Sequence, residues 1–337
     1  MTTAKDAGVS LADVAKRANV SQATASKALN AKFDVSPKTR ARVERAAREL
    51  GYVPNTLARG LTGGRTGTVG VITSDLDGRF ALPILMGVED ALGADRVFAF
   101  LCDARGDDLR ERQLLKSLIQ RRVEGIIIVG NQTDERPSLG QDIGVPIVYA
   151  YCMSDDPRDR SITVDNYQVA SVAAQHLIDI GRRRIAHISG EAPHSAARRR
   201  KDGVVDTLAS SGLELSGEPL FGDWSEGWGR AATAMVLDRN PEIDAILCGS
   251  DQIARGALDV LRERNISVPQ QIAVIGIDNW ELLAANSRPS LTTVDLNLER
   301  LGRIAAQCLY DPDAADRSGI SYEPGAIVIR DSTIPRY

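Results

Sequence analysis

No stretch of eighteen consecutive apolar residues occurs in this sequence, so no membrane-spanning helix is expected. The opening residues, MTTAKDAGVS, lack an apolar core and a small-residue cleavage site, which reads against a secretory signal. Cysteine is scarce. Cys102, Cys152, Cys248 and Cys308 lie far apart without a CxxC pair, as reduced thiols of a cytoplasmic protein would. The three histidines, His176, His187 and His194, have no metal-ligand spacing, and neither a metal nor a cofactor is expected. No GxGxxG follows the first apolar strand, and GxxxxGK[ST] and GxSxG are missing. The sequence therefore signals no nucleotide-phosphate cradle and no nucleophile elbow, and it is read as a non-enzyme. His187 reads as core, and the pairs Asp107-Asp108 and Asp155-Asp156 read as loop or cap residues. No internal repeat is evident.

What is present is uneven in charge. Residues 1–65 carry twelve Lys or Arg against five Asp or Glu, a net of +7, while the remainder carries 29 against 40, a net of −11. A basic head on an acidic body suits a polyanion-binding module joined to a neutral-ligand module. Within the head, LADVAKRANVSQATASKALN (11–30) has helical apolar spacing at Leu11, Val14, Ala15 and Ala18, and again at Val20, Ala25, Ala28 and Leu29. Ser10 and Asp13 form a capping box ahead of the first helix, and Ser21 caps the second. The pattern predicts a helix-turn-helix whose second helix turns Gln22, Ala23 and Thr24 outward, the geometry that enters a DNA major groove. A third helix begins at Ser36-Pro37, buries Val43, Ala46, Ala47 and Leu50, and ends at Gly51. Val53-Pro54 forces an extended turn. Asn55 can cap a short segment, TLARGL, ahead of the Gly-rich residues 62–67.

From Thr68 the texture changes to alternating strands and helices. Strands are predicted near 68–73, 97–101, 125–129, 146–150, 184–188, 244–247, 272–276 and 326–329. Helices are predicted near 81–92, 108–121, 166–180, 198–210, 226–238, 252–264 and 297–309. Gly125–Val129 is apolar on both faces, as a buried parallel strand requires. Alternation over about 270 residues exceeds one typical domain and predicts two doubly wound lobes with a cleft at the carboxyl ends of their strands.

Beyond the head motif and VSPKTRARVERAARELGYVPN, the chain carries LARGL, TGTVGVI, VEGIIIVG, VDNYQVA, HLIDIGRRRIAHISG, GDWSEGWGR, CGSDQIARGAL, AVIGIDNW, RPSLTTVD and VIRDST. In this order, these motifs resemble the lactose-repressor/galactose-repressor (LacI/GalR) family of bacterial transcription regulators. The resemblance implies an all-α helix-turn-helix head plus an α/β core, two doubly wound parallel-sheet lobes of periplasmic-binding-protein type. The implied division is a disordered tail (1–9), the DNA-binding domain (10–54), a hinge helix and linker (55–67) and the effector-binding and dimerisation core (68–337). Within the core, the N-lobe is placed at about 68–164 and 293–322, and the C-lobe at about 165–292 and 323–337.

The resemblance also implies site residues. Gln22, Ala23 and Lys27 match positions facing base edges, where Gln suits adenine, Lys suits guanine acceptors and Ala a thymine methyl. Ser21, Thr24, Ser26 and Asn30 match positions near the phosphates. Asn55, Ala58, Arg59 and Leu61 match the minor-groove hinge, with Leu61 as the wedge. Gly60 stands where Ser is usual, which weakens that helix by roughly 1 kcal/mol. In the cleft, Arg200 of an RxxG pattern matches an arginine that grips hydroxyls, and Asp278 a carboxylate that accepts from a sugar. Trp224 and Phe80 match aromatic walls, and Ser250 and Asp251 open a helix at the cleft. Arg79 replaces a small residue or proline; it either favours an acidic or phosphorylated ligand or faces solvent. The implied protein is a transcription regulator, foremost a repressor. It would bind pseudopalindromic double-stranded operator DNA as a homodimer or tetramer, with affinity set allosterically by a sugar-like effector. The alternative is a sugar-binding solute receptor without DNA function.

Overall fold

The computed structural model describes residues 9–29, 35–52, 66–74, 76, 79–93, 97–310 and 318–334. Two compact units divide at Thr66/Gly67. In the smaller unit, helix α1 (Leu11–Ala18) starts with the predicted capping box. Asp13 N–H donates to the Ser10 hydroxyl, and the Asp13 carboxylate accepts from the Ser10 N–H. It ends at Asn19 in the left-handed region. Helix α2 (Gln22–Leu29) and helix α3 (Pro37–Leu50) complete a small core of Val14, Ala15, Ala18, Ala25, Ala28, Val43, Ala46 and Ala47. Alanines at most inner positions let three short helices pack closely.

The larger unit holds two six-stranded sheets. The first runs β13-β7-β5-β3-β1-β2, all parallel: β1 (Thr68–Thr73), β2 (Phe98–Asp103), β3 (Ile126–Val129), β5 (Ile147–Ala150), β7 (Arg160–Val164) and β13 (Gly319–Glu323). A short parallel pair joins β4 (Glu135–Arg136) to β6 (Met153–Ser154) beside it. Helices α4 (Ala81–Gly93) and α11 (Leu298–Tyr310) cover one face and α5 (Asp108–Gln120) the other. Ile127 and Val129 join the core of the first face, Ile126 and Ile128 that of the second. This is why a continuous apolar run was required there.

The second sheet runs β14-β12-β11-β10-β8-β9 and is parallel except at β14: β8 (Ile185–Ser189), β9 (Leu220–Phe221), β10 (Ala245–Cys248), β11 (Ala273–Asp278), β12 (Thr292–Asp295) and β14 (Ala326–Val328). Helices α6 (Asn166–Asp179) and α7 (Ser195–Ser210) cover one face; α8 (Glu226–Arg239) and α9 (Asp251–Glu263) cover the other, with the short α10 (Glu281–Ala284) near the site.

Two expectations shift. Strands β7 and β12 were not predicted, because RSITV and TTVD look half polar; their Ser161, Thr163, Thr292 and Thr293 are nonetheless buried, with hydroxyls engaged in hydrogen bonds. Residues 293–295 were assigned to the N-lobe, yet β12 pairs with β11 and β14 in the second sheet. The chain therefore crosses back after Asp295. It passes between lobes at 164–166, 295–298 and 323–326.

Both sheets place the second strand in sequence at the outer side of the first, then continue the other way, so each has a switch point beside its first strand. Ligands bind such sheets outside the carboxyl ends of the strands at that point. The strand ends of the two lobes meet there and form the cleft.

Candidate functional site

On α2 the sequence alternates between burial and display. Ala25 and Ala28 are buried, while Ser21, Gln22, Ala23 and Lys27 are exposed and Thr24 and Ser26 are half-buried. The Ser21 hydroxyl accepts from Thr24 N–H at 3.1 Å and lies 2.8 Å from the Thr24 hydroxyl. These two side chains thus shape the start of the helix. Gln22, Ala23 and Lys27 remain as the outward face. Asn30, Asn55, Ala58, Arg59 and Leu61 lie outside the described residues.

Between the lobes lies a chamber of about 340 Å³, lined by Arg79, Phe80, Gln132, Thr133, Tyr151, His194, Arg200, Trp224, Gln252 and Trp280, among others. Apart from Arg200 in the second turn of α7, each comes from a loop or helix start after a strand: Arg79 and Phe80 after β1, Gln132 and Thr133 after β3, Tyr151 after β5, His194 after β8, Trp224 after β9, Gln252 after β10 and Trp280 after β11. Tyr151, Asp278 and Asn279 have positive φ values of 68°, 118° and 49°. Such local strain concentrates where side-chain direction matters for function.

Arg200 is held rigidly. Its Nε donates to Asn166 Oδ1 at 2.8 Å and one terminal nitrogen to the Gly249 carbonyl at 2.5 Å. Three residues on, Gly203 lets α7 approach α6, because a Cβ there would strike the Tyr167 carbonyl. Asp278 lies 2.6 Å from the Arg79 guanidinium and 3.7 Å from that of Arg200, with neither contact aligned as a hydrogen bond. Its side chain is 2% exposed, and burial raises its pKa. Asp251, behind it, accepts from the Trp280 N–H (2.7 Å) and the Thr293 hydroxyl (2.5 Å). Burial, then the Asp278 charge, push the Asp251 pKa up to about 8.

The aromatic walls are ordered. Phe80 stacks on Tyr151 with centroids 4.5 Å apart. Trp224 lies over Gly190, where any Cβ would collide with its ring, and donates its indole N–H to His194 Nδ1 at 2.8 Å. His194 therefore carries its proton on Nε2, which faces Glu191 at 3.1 Å.

The structure thus brings Arg79, Phe80, Arg200 and Trp224 to the chamber, and Asp278 directly behind Arg79. Ser250 and Asp251 do not line it: both are fully buried, Ser250 as the cap that accepts from Ile253 N–H and Asp251 as the anchor of the Trp280 loop. Arg79 is not solvent-facing. It reaches across the cleft to Asp278 and donates to Gln252 Oε1 at 2.7 Å. Sequence reasoning missed Tyr151, His194, Gln252, Trp280 and Asn166. Trp280 directly follows GIDN, and Asn166 falls inside VDNYQVA, so motif proximity could have flagged those two.

Comparison with known proteins agrees with this layout. Residues 10–55 match the sequence profile of bacterial regulatory proteins, lacI family, and residues 174–333 match that of a periplasmic binding protein-like domain. The chain is 34% identical to catabolite control protein A of Priestia megaterium over 331 residues, covering 96% of this chain and 99% of that one. It is 34% identical to the HTH-type transcriptional regulator CelR of Thermobifida fusca over 307 residues, covering 88% and 90%. Among solved structures, a complex of CelR with cellobiose is similar at 29% identity and a TM-score of 0.63, covering 96% and 99%. The lac repressor dimer bound to operator and the anti-inducer ONPF is similar at 27% identity and a TM-score of 0.76, with the same coverage.

Proposed function

Because the chain belongs to the lacI family of bacterial regulatory proteins, we propose that it reads operator DNA through α2 and adjusts its hold in response to a sugar-like effector between the lobes. It is a DNA-binding transcription regulator, not an enzyme. The observation that carries the effector reading is the chamber, where two buried or nearly buried guanidiniums, amide and hydroxyl groups and flat ring faces converge from both lobes. Planar donors, an acceptor and apolar faces are what a ring with hydroxyls on its rim requires.

Gln22, Ala23 and Lys27 face the bases, Ser21, Thr24, Ser26 and Asn30 the phosphates, and the segment around Leu61 the minor groove. The regulator works as a homodimer. Leu82 and Met86 on α4 and Phe98 and Phe100 on the edge strand β2 are large apolar side chains exposed on the first lobe, an apolar surface suited to a second copy. Its place of work is the cytoplasm, where the chromosome is; among the described residues no helix is long and apolar enough to cross a membrane. Ligand closure of the lobes alters how the two heads meet their half-sites. The effector must bind the two states with different affinity, and a coupling of about 1–3 kcal/mol is typical. A repressor that releases its operator on ligand binding is the simplest form of this device.

A gel shift of the full chain on DNA upstream of its own gene, with and without saccharides, tests the reading. Arg200→Ala should keep operator binding and lose the ligand response. Lys27→Ala should relax preference at one base pair, at a cost of roughly 1–3 kcal/mol; a uniform loss over all sequences would reassign Lys27 to phosphate. The solute-receptor alternative predicts no sequence-selective DNA retention at all.

A further inference from the structure

Among the described residues, the inner chamber is walled by Arg79, Arg200 and His194 and by no Asp or Glu. The nearby carboxylates of the described residues are turned elsewhere. Asp278 opens instead on a neighbouring cavity of about 480 Å³, and Arg79 lies between the two spaces, lining both. Asp251 is fully buried under the Trp280 loop. Asp134 accepts from the Ser195 N–H across the lobes and lines a third cavity on the first lobe. Glu191 faces His194 near the surface. Among the described residues, a ligand entering the chamber meets guanidinium edges and ring faces, with amide and hydroxyl groups as acceptors.

We propose that Arg79 determines the specificity of this cleft and that the effector is an anionic saccharide, a sugar bearing a phosphate or a carboxylate. The proposal rests on the cleft being the effector site. In the closed cleft Arg79 is held on both sides: its guanidinium lies 4.7 Å from the Phe80 ring centre and 5.7 Å from that of Trp280, with 12% of the side chain exposed. A planar fork fixed in this way recognises a two-oxygen anion without further ordering. Arg200, on the opposite lobe, is 3% exposed and equally fixed. Asp278 lies against the far side of Arg79 and Asp251 is buried behind it, so neither presents a carboxylate to the chamber. An anion bridging Arg79 and Arg200 draws the lobes together, while its sugar ring lies against Trp224.

Calorimetric titration of the full chain with glucose, glucose 1-phosphate and glucuronate, with inorganic phosphate as the control, tests this. The expected result is at least tenfold tighter binding of one anionic sugar than of glucose. That preference should shrink as salt is raised, fall to within twofold in Arg79→Gln, and survive in part in Arg79→Lys. A phosphate-only preference identifies a sugar phosphate and a glucuronate-only preference a sugar acid; either supports the proposal, whereas inorganic phosphate binding as tightly as either anionic sugar overturns it. Equal or tighter binding of glucose overturns the anion preference while leaving the effector site intact, provided Arg200→Ala abolishes that binding. An undiminished preference in folded Arg79→Gln, judged by its melting curve, removes Arg79 from the role. Absence of binding by every probe, with operator retention preserved, overturns the proposal together with the effector reading of the cleft.

Discussion

His187 sits in β8 with its Nδ1–H donating to the Leu247 carbonyl at 2.9 Å, and burial pushes its pKa down from 6.5 to about 4. The neutral ring is the folded form. Its contribution is complete above pH 6.5 and is lost as pH falls toward 4, to a limit of about 3 kcal/mol. His187→Asn should flatten that part of the stability profile in urea melts at stepped pH; an unchanged slope would show that the ring is solvated. Asp251 works in the opposite sense. Its raised pKa means that stability falls as pH rises from about 4 to about 8, and Asp251→Asn should remove the fall above pH 6.5, where His187 no longer titrates. Single residues were legible in sequence where a motif fixed their spacing, as with Arg200 and Gly203. They were not legible where the role depends on what the opposite lobe supplies. Arg79 could be read as a cleft cation or a solvent-facing one, and nothing along the chain announces its reach to Asp278. The core reading of His187 needed only the apolar strand around it.

Helix α7 carries Arg200 yet lacks a cap of its own: His194, at the capping position, makes no side-chain bond to it. The cap comes from the first lobe, where Asp134 accepts from the Ser195 N–H at 2.8 Å. Thr133 also accepts from Asn166 across the same seam. A good cap is worth about 1 kcal/mol, and here it exists only while the lobes are closed. Asp134→Ala should therefore weaken effector binding roughly fivefold with little change in the ligand-free melting temperature, whereas Asp134→Asn retains most of the affinity. Equal destabilisation with and without ligand would mean that the contact persists in both states. Most helices were legible because caps and periodicity are local. The start of α7 at Ser195, three residues before the predicted 198, was not, because its cap is 61 residues away. Strands β7 and β12 were missed for a related reason: their buried hydroxyls find partners only in the folded sheet.

Across the chain, the basic head and the acidic body divide the work between a polyanion and a small ligand, a division visible in charge alone. Salt should weaken operator retention, which engages many phosphates, far more steeply than effector binding; parallel losses would contradict that division. The two-lobed architecture was legible from alternation, while the place of the second crossover was not, because it hinges on which sheet claims the four residues at 292–295. The interleaving has a consequence during synthesis. The first lobe lacks α11 and its edge strand β13 until residue 323 has emerged from the ribosome, so Val69, Ile84, Val148 and Ile162 wait for Leu301, Ala305 and Leu309 to cover them. A nascent chain arrested near residue 290 should be cut readily by protease in its first lobe, and one released at full length should resist. The earlier-made lobe thus stays open to aggregation while nearly all of the later one is synthesised.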